Sequence, residues 1–389
     1  MIQFIALGVG QGDAFYIRTP GVSILVDGGK SRDAFVRQFE NDTKAKSVDV
    51  AICTHNDADH ANGIIECVKC QLCKEIWLPG NWIAPLSKVL KPFDEVVGNL
   101  IEDISQLDKS HEIPCTLEEY SGTSGAENAE STRHDYRFDA NGWADQHIPL
   151  LEASEMWQCS TVGHNLPFAD EYFKYWGLTR NCRLLLQSAI SAAERIRAIA
   201  QYAFHTGIRV TWLEYDVNHN GLEPYRYDEI IPVNSRPLAH SCSSKMSLLS
   251  LLALTVSNRK SLVFAFKPKS TSRHLPGVLF TADSDLSGLD GKLSHLSLEH
   301  ALVTAPHHGS EENEKAYGMI NRLSRCNIWV RSDGRFNARP GASYLRQPTR
   351  FCIMCRLKRN CFCPKQAVKL EIRDGRWSQF DGTQPCKCG

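Results

Sequence analysis

The sequence has no long apolar run and no excess of charge of either sign. No segment offers the roughly 18 uncharged apolar residues that a membrane span needs, and its start, MIQFIALGVGQGD, lacks the basic and apolar stretches of a signal peptide. Lysine plus arginine and aspartate plus glutamate each number 44, so no overall field attracts nucleic acid or an anionic membrane. These features predict a cytoplasmic protein without a membrane span, whose affinity for a polyanion must come from a local patch.

Cysteine, in contrast, is abundant, with 15 among the 389 residues. Without a secretion signal, metal binding and free thiols are favoured over disulfides. The C-terminal tail contains a dense group of them: Cys352, Cys355, Cys361, Cys363, Cys386 and Cys388. Short spacers between thiolates are typical of structural zinc, so we predict either one four-coordinate zinc site with two spare cysteines or a shared cluster. Redox-active thiols or disulfides are the alternative.

Basic residues are interspersed among these cysteines. They are Arg346, Arg350, Arg356, Lys358, Arg359, Lys365 and Lys369. A positive surface of this kind can guide an anionic polymer. The alternative is an ordinary solvated basic surface.

Hairpin-like and strand–helix patterns are mixed along the chain. Strands are predicted at 3–7, 14–18, 22–26, 48–54, 76–78, 208–215, 248–256, 261–266, 278–281, 301–305 and 327–331, the last as the final core strand. A long helix is predicted over 182–205, and a second one after Asn62. Residues 121–143, poor in large apolar side chains, predict an exposed excursion. This order predicts an α/β fold with more than one sheet.

Several of these strands end on acidic or histidine residues. The run VDVAICT leads directly into four candidate ligands: His55, Asp57, Asp59 and His60. Two later strands end at Asp283 and at the pair His307-His308. Imidazole and carboxylate suit zinc, manganese or iron, and two such ions about 4 Å apart can promote cleavage of a phosphodiester. The alternative is a set of ordinary surface loops in which Asp57 or Asp59 caps the following helix.

Six sequence blocks together resemble the metallo-β-lactamase superfamily. They are VGQGDAFYI, ILVDGG, THNDADHANG, NRKSLVF, VLFTADSD and APHHGS, in that order. They are most similar to the metallo-β-lactamase-like domain of ComEC-type DNA-uptake proteins, in which an aspartate replaces the second histidine of the metal motif, as Asp57 does here. The resemblance implies an αββα sandwich. We therefore predict a hydrolase domain over 1–345, with an insertion at about 85–165, and a small Cys-rich, basic tail over 346–389.

The resemblance also implies a set of metal ligands for two divalent ions, Zn²⁺ or Mn²⁺. One ion would be bound by His55 and Asp57, and the other by Asp59 and His60. Asp283 would bridge both. His308, or else His307, would be the distal ligand, and the remaining histidine would contact substrate phosphate or act as a general acid. The predicted catalytic residues are Asp59, Asp283 and His307.

Further residues have supporting roles in this resemblance. Asp27 would be the buried acid that orders the metal loop, Asn258 and Ser261 would line the site, and Gln11 and Asp13 would approach the metals. The chain also departs from the family at three places: Gly8 replaces an aspartate, Asn62 replaces the first glycine of Asp-His-X-Gly-Gly, and Ala282 replaces the glycine of Thr-Gly-Asp. None of these changes removes a predicted ligand.

Three functions are consistent with this pattern. The first is a two-metal phosphodiesterase, most simply a nuclease that acts on DNA or RNA, with protein partners in nucleic-acid processing or defence. The second is a hydrolase of a small phosphodiester, a cyclic nucleotide or a lactone, because one fold supports many substrates. The third is a non-catalytic metal-binding protein that acts through partners.

Overall fold

The structure, a computed structural model, describes residues 1–91, 95–102, 180–219, 222, 225–238, 260–269, 276–296, 300–324 and 326–389. The chain forms two compact units. One comprises Met1–Asn81, Ala198–Ser241 and Asn258–Gly389, and the other comprises Trp82–Arg197 and Cys242–Ser257. The predicted excursion at 121–143, the strand at 248–256 and most of the predicted insertion lie outside the described residues.

The strands of the described residues form two large sheets and a small hairpin. They are β1 (Gln3–Ala6), β2 (Phe15–Arg18), β3 (Ser23–Val26), β4 (Val48–Ile52), β5 (Cys73–Pro79), β6 (Arg209–Tyr215), β7 (Ile230–Pro232), β8 (Ser235–Pro237), β9 (Phe264–Phe266), β10 (Val278–Phe280), β11 (Leu302–Thr304), β12 (Ile328–Arg331), β13 (Thr349–Cys352), β14 (Arg356–Lys358), β15 (Cys361–Phe362), β16 (Val368–Arg373) and β17 (Arg376–Gln379). The larger sheet has the order β17-β16-β1-β2-β3-β4-β5-β6-β8, the second β13-β12-β11-β10-β9-β7, and β14 pairs with β15.

The helices of the described residues connect these strands. They are α1 (Phe35–Thr43), α2 (Ala58–Lys69), α3 (Ile83–Val89), α4 (Arg180–Thr206), α5 (Asp290–His295), α6 (Glu314–Leu323) and α7 (Ala342–Leu345), with short 3-10 turns at Gly80–Trp82, Pro306–Gly309 and Glu311–Asn313. Residues 95–102 are also helical. None of the described helices combines the length and apolarity that crossing a bilayer requires. The predicted α/β class with several sheets is confirmed.

The two large sheets share one apolar core. Phe4, Phe15 and Ile52 from the larger sheet and Phe264 and Phe280 from the second belong to the same buried cluster. The rings of Phe4 and Phe15 lie 6.2 and 6.1 Å from that of Phe280, centroid to centroid. Apolar burial of this kind is the dominant favourable contribution to folding, and it fixes the two sheets face to face.

The other face of the second sheet packs against helices. Along its strands, alternate residues enter different clusters: Phe264 faces the inter-sheet core, whereas Ala265 belongs to the outer cluster with Tyr317 of α6 and Leu293 of α5. Side chains of successive strand residues point to opposite faces, so apolar residues at both positions predict burial on both sides. On the larger sheet, Tyr16 contacts Phe39 of α1 edge to face, at 5.6 Å between ring centroids.

The C-terminal region belongs to the sheets. The prediction that 327–331 is the last core strand is wrong, because β13 pairs with β12 in parallel and β16 pairs with β1 antiparallel. Strands β16 and β17 therefore extend the larger sheet beyond β1. For β16 and β17 the pattern is present in the sequence, because Val368–Arg373 alternates apolar and charged residues and Asp374-Gly375 is a typical hairpin turn, but the prediction ended the core at 331 and missed it.

In the other unit, an arginine closes the end of a helix. Arg197 Nη1 donates hydrogen bonds to the carbonyl oxygens of Val89, at 3.4 Å, and of Lys91, at 2.8 Å. Val89 is the last residue of α3 and Lys91 lies two residues beyond it, where backbone oxygens lack helical partners. The guanidinium therefore takes the place of the missing N–H groups.

Candidate metal centre

Strand ends from both sheets meet at one place. His55 follows β4 by a few residues, Asp283 follows β10, and His307 and His308 follow β11. All four are buried. Asp13 lies in the turn between β1 and β2 and is also buried. Carboxyl ends of strands are where α/β proteins assemble polar sites, and here they bring together residues from distant parts of the sequence.

The first group of candidate ligands consists of His55, Asp57 and Asp283. The Nε2 atom of His55 lies 3.7 Å from Asp57 Oδ2 and 3.5 Å from Asp283 Oδ2. Asp57 is the N-cap residue of α2, yet its side chain makes no capping hydrogen bond. The capping alternative therefore does not account for Asp57, whose carboxylate faces the histidine instead.

The second group consists of Asp13, His60, Asp283 and His308. Asp283 Oδ1 lies 3.3 Å from His60 Nε2 and 3.7 Å from His308 Nε2. Asp283 thus belongs to both groups, with Oδ2 directed to the first and Oδ1 to the second. That is the arrangement expected of a carboxylate that bridges two ions.

Asp59 lies beside the second group, on the first turn of α2. Its Oδ2 is 3.3 Å from His308 Nε2, and its Oδ1 is 4.0 Å from His60 Nε2. Burial raises the pKa of Asp59, but the hydrogen bond and charge of His308 outweigh it and hold the pKa below its usual range. The helix begins at Ala58, earlier than the predicted start after Asn62, so Asp59 and His60 are helical residues.

Buried carboxylates orient the two histidines of the second group. His60 Nδ1 donates to Asp27 Oδ2 at 2.8 Å. His308 Nδ1 lies 3.0 Å from Asp13 Oδ1 and 3.1 Å from the carbonyl oxygen of Ser332. A carboxylate behind the imidazole fixes the tautomer in which Nε2 carries the lone pair, as in metal-bound histidines of other proteins.

These tautomers leave buried lone pairs that a cation would satisfy. With both Nδ1 atoms protonated, the lone pairs of His60 and His308 Nε2 face each other at 3.2 Å. Asp13 Oδ2 and His55 Nε2 are buried and have no hydrogen-bond partner among the described residues. Buried polar atoms and facing lone pairs are unfavourable unless a proton or metal ion satisfies them. The donor set, imidazole and carboxylate, suits divalent zinc or manganese.

The backbone at this centre is strained at four non-glycine residues. The φ angles are 58° at Asp27, 46° at Ala282, 46° at His307 and 53° at His308, all in the left-handed region. Ala282 occupies the place where the resembled motif has glycine, the residue that adopts this conformation without a steric penalty. Such strain, of order 1–3 kcal/mol per residue, accumulates at functional sites.

His307 differs from His308 in its surroundings. Burial lowers its pKa to about 3, with Arg339 lowering it further and Asp283 opposing the shift. Arg339 Nη2 donates to His307 Nε2 at 3.1 Å, and the Arg339 guanidinium lies over the Phe336 ring, 5.3 Å from its centroid. A neutral imidazole next to a guanidinium favours contact with a substrate anion over the predicted alternative of a general acid.

The comparison with known proteins concerns the N-terminal part of this centre. Residues 7–69 match the metallo-beta-lactamase superfamily. The matched stretch contains Asp13, Asp27 and the segment from His55 to His60, whereas Asp283 and His308 lie outside it. No curated protein matches the chain.

The superfamily match and the two ligand groups together support a metal-dependent hydrolase, without specifying its substrate. Members of this superfamily bind divalent metals. The match ends at the last helical residue of α2, Lys69. It therefore covers the elements that position one half of the centre.

The remaining predicted supporting residues are Gln11, Ser261 and Asn258. Gln11 lies in the same turn as Asp13, and its carbonyl oxygen accepts the Lys30 N–H at 3.1 Å. Ser261 is buried, and the next residue, Leu262, donates its N–H to the Thr54 carbonyl at 3.0 Å, directly before His55. Asn258 lies outside the described residues.

Other site residues escape the sequence analysis. Thr54 donates to Asp27, N to Oδ1 at 2.8 Å and Oγ1 to Oδ2 at 2.7 Å. Ser332 donates its hydroxyl to the Gly12 carbonyl at 2.6 Å and accepts from His308. Thr54 lies two residues after the end of β4, and Ser332 directly follows β12. Position at the end of a strand is also the signal that identified His55. Arg339 lies in a loop without such a signal.

The tail cysteines separate into two sets. The Sγ atoms of Cys352, Cys355, Cys386 and Cys388 lie within 4.8 Å of one another, whereas Cys361 and Cys363 are not in this group. This arrangement fits one four-coordinate site with two spare cysteines. All of the cysteines in the described residues are free of disulfides.

A close approach of two backbones gives a test of the centre. Gly12 has φ +93°, and a Cβ there would lie 1.9 Å from the Asp59 carbonyl oxygen, which accepts the Asp13 N–H at 3.0 Å. We expect Gly12→Ala to lower the free energy of unfolding by about 3 kcal/mol and to weaken metal binding. Denaturant unfolding and metal titration measure both effects.

Gly10 provides the matched control. Its φ is +92°, but a Cβ there would meet no atom within 4 Å. Gly10→Ala should therefore cost only about 1 kcal/mol of backbone strain and leave metal affinity unchanged. Equal effects of the two substitutions would show that the contact between Gly12 and Asp59 has no special role.

Proposed function

We propose that the protein is a two-metal phosphodiesterase that cleaves nucleic acid. The observation that carries this proposal is the position of Asp283 in both ligand groups, one carboxylate oxygen towards each. Bound at these residues, Zn²⁺ or Mn²⁺ would activate water and offset the charge that develops on a phosphodiester. The proposal includes the αββα sandwich of the metallo-β-lactamase superfamily and a relation to ComEC-type domains.

The chain's own residues have separate roles in this proposal. His55 and Asp57 would hold one ion, and His60, His308, Asp59 and Asp13 would hold or surround the other. Asp27 keeps the His60 lone pair directed at the centre. In and around the two ligand groups, five carboxylates (Asp13, Asp27, Asp57, Asp59 and Asp283) face three imidazoles (His55, His60 and His308), so a doubly charged ion would offset the excess negative charge.

His307 and Arg339 would bind the substrate anion. Arg339 already donates to His307 Nε2, both side chains are buried, and His307 Nε2 lies 3.7 Å from Asp283 Oδ2. A guanidinium is always charged and presents several N–H donors in one plane, which suits a phosphate. These two residues are therefore proposed to position the scissile phosphate against the shared carboxylate.

A basic hairpin next to the loop that carries Arg339 favours a polymer over a small substrate. Lys358 and Arg359 are exposed at the β14–β15 turn. Asn360 of the same turn donates its N–H to Asn337 Oδ1 at 3.0 Å, and Asn337 lies on the loop that carries Arg339. Positive side chains attached to the substrate-binding loop would contact phosphates flanking the cleaved one. Of the remaining tail cations, Arg346 pairs with Glu314 and Lys369 with Asp381.

The test uses two substrate classes. Purified protein is incubated with Mn²⁺, Mg²⁺ or Zn²⁺ and with single- or double-stranded DNA or RNA, or with a small chromogenic phosphodiester. We expect metal-dependent cleavage that is lost in Asp59→Ala. The double variant Lys358→Ala/Arg359→Ala should weaken cleavage of the polymer about tenfold and reduce its salt dependence, while leaving the small diester unaffected.

Other outcomes would support the alternative functions. Turnover of the small diester alone, unaffected by the basic hairpin, would contradict a nuclease and favour a small phosphodiester as substrate. Folded, metal-loaded protein without turnover of any ester would contradict the enzyme itself. It would favour a metal-binding protein that acts through partners.

A further inference from the structure

A second cluster of metal-ligating side chains lies away from the histidines and carboxylates. Cys352 ends β13, Cys355 precedes β14, and Cys386 and Cys388 follow β17. The Sγ atom of Cys352 lies 3.1 Å from that of Cys386 and 3.8 Å from that of Cys388. A tetrahedral zinc site with Zn–S bonds of about 2.3 Å has sulfur atoms about 3.8 Å apart. The four thiols are thus already close to the separation that zinc requires.

Backbone N–H groups point at these sulfur atoms. Arg356 N donates to Cys388 Sγ at 3.2 Å, Lys387 N donates to Cys355 Sγ at 3.2 Å, and Cys388 N donates to Cys386 Sγ at 3.4 Å. Sulfur is a weak acceptor as a thiol and a much better one as a thiolate. Three donors turned to one cluster therefore indicate that it carries negative charge.

A buried arginine adjoins the cluster. Arg331 is 1% exposed, and its Nη2 donates to the carbonyl oxygen of Met354 at 2.9 Å, within the Cys352–Cys355 turn. Its Nη1 donates to Asp333 Oδ2 at 2.9 Å. A buried guanidinium is costly unless negative groups surround it. Four thiolates around a divalent ion leave a net negative charge, which Arg331, shared with Asp333, offsets in part.

We propose that Cys352, Cys355, Cys386 and Cys388 bind a structural Zn²⁺ as four thiolates. We further propose that this ion stabilises the loop 331–339, which contacts the candidate metal centre. Four sulfur ligands close the coordination sphere, which distinguishes a structural site from a catalytic one. Soft thiolates also select zinc over magnesium or manganese. The proposal does not depend on the proposed nuclease function.

A few consecutive residues connect the cysteine cluster to the candidate metal centre. Arg331 connects the cysteine turn to Asp333. Between them, Ser332 accepts a hydrogen bond from His308 and donates one to Gly12. An ion that fixes the cysteine turn therefore restricts the segment that holds His308. Without it, we expect Ser332 and the rest of this loop to become mobile.

The test compares zinc content and local dynamics in the full-length chain. Zinc per chain is measured after exhaustive dialysis for the wild type, for Cys386→Ser and for Cys363→Ser, a matched control outside the cluster. An Asp283→Asn background lowers metal at the other centre, so that the remaining zinc reports on the thiols. We expect Cys386→Ser to lose one equivalent of zinc and Cys363→Ser to lose none.

Two further measurements keep the proposal testable if Cys386→Ser does not fold. Cobalt-substituted wild-type protein should show the intense sulfur-to-cobalt charge-transfer absorption of a tetrathiolate. Cys388→His, which retains a zinc ligand, should fold and keep its zinc. In the folded variant that has lost zinc, hydrogen exchange should accelerate at 331–339 and not in α1.

Several results would overturn the proposal. They are equal zinc in Cys386→Ser and the wild type, iron in place of zinc, a disulfide between cluster cysteines in the purified protein, and unchanged exchange at 331–339 after zinc loss. Failure of nuclease activity in the wild type would leave zinc content and the cobalt spectrum unchanged, so the two proposals fail independently.

Discussion

Replacing Asp283 by asparagine should nearly abolish turnover while the fold survives. Asparagine has almost the same size, so the buried cavity stays filled, but it lacks the charge that both ligand groups share. Losing a shared carboxylate removes on the order of 4 kcal/mol of transition-state stabilisation, which corresponds to about a thousandfold lower kcat/KM. Steady-state kinetics and metal content measure the effect, and circular dichroism checks the fold.

A surface carboxylate close by in sequence is the control for Asp283→Asn. Asp290 is exposed and pairs with Arg322 at 3.0 Å. Asp290→Asn removes the same charge from the same region of the chain, and we expect its kcat/KM and metal content to equal those of the wild type. Full activity in Asp283→Asn, with both metals retained, would contradict a bridging role for this carboxylate.

Asp27→Asn should weaken metal binding and destabilise the fold together. Asp27 is 1% exposed and accepts from Thr54 N, Thr54 Oγ1 and His60 Nδ1. The NH₂ group of an asparagine would face one of these three donors, which would then lose its hydrogen-bond acceptor. We expect metal affinity to fall 10- to 100-fold, as for other carboxylates behind a ligating histidine, and the free energy of unfolding to fall by about 3 kcal/mol.

Asp49 offers a matched control for Asp27→Asn. Its carboxylate also accepts from a backbone N–H and a hydroxyl, both of Ser23 at 2.8 Å, but no histidine in the described part of the chain contacts it. Because Asp49 is partly exposed, Asp49→Asn should cost about 1 kcal/mol or less and leave metal affinity unchanged. If both variants lost affinity equally, global destabilisation rather than orientation of His60 would be the cause.

Much of the centre was predictable because its residues directly follow apolar strands. Val48–Ile52 is a buried run with strand character, and the polar segment after it stands out. His55, His60, Asp283 and His308 were predicted from these strand ends and Asp13 from the family resemblance, and the structure brings them into two groups with a common member. Their roles as ligands remain predictions. The sequence carries this information because strand ends in an α/β fold converge.

The remaining contacts depend on tertiary structure that no local pattern specifies. Arg339 lies in an irregular loop, and only folding brings it to His307. The pairing of β16 with β1 joins residues more than 360 positions apart, and no local pattern specifies such a partner. Similarly, the sequence groups six tail cysteines equally, whereas the fold selects four of them.

The pairing of β1 with a C-terminal strand has a consequence during synthesis of the chain. Strand β1 lies between β2, which follows it almost at once, and β16, which begins at Val368. His308 likewise contacts both Asp13, which is synthesised early, and Ser332, which is synthesised late. During synthesis, chains emerge from their N-terminal end at about 5–20 residues per second. The N-terminal strands must therefore wait tens of seconds with an open edge, which makes the nascent chain a candidate for chaperone protection until its last strands emerge.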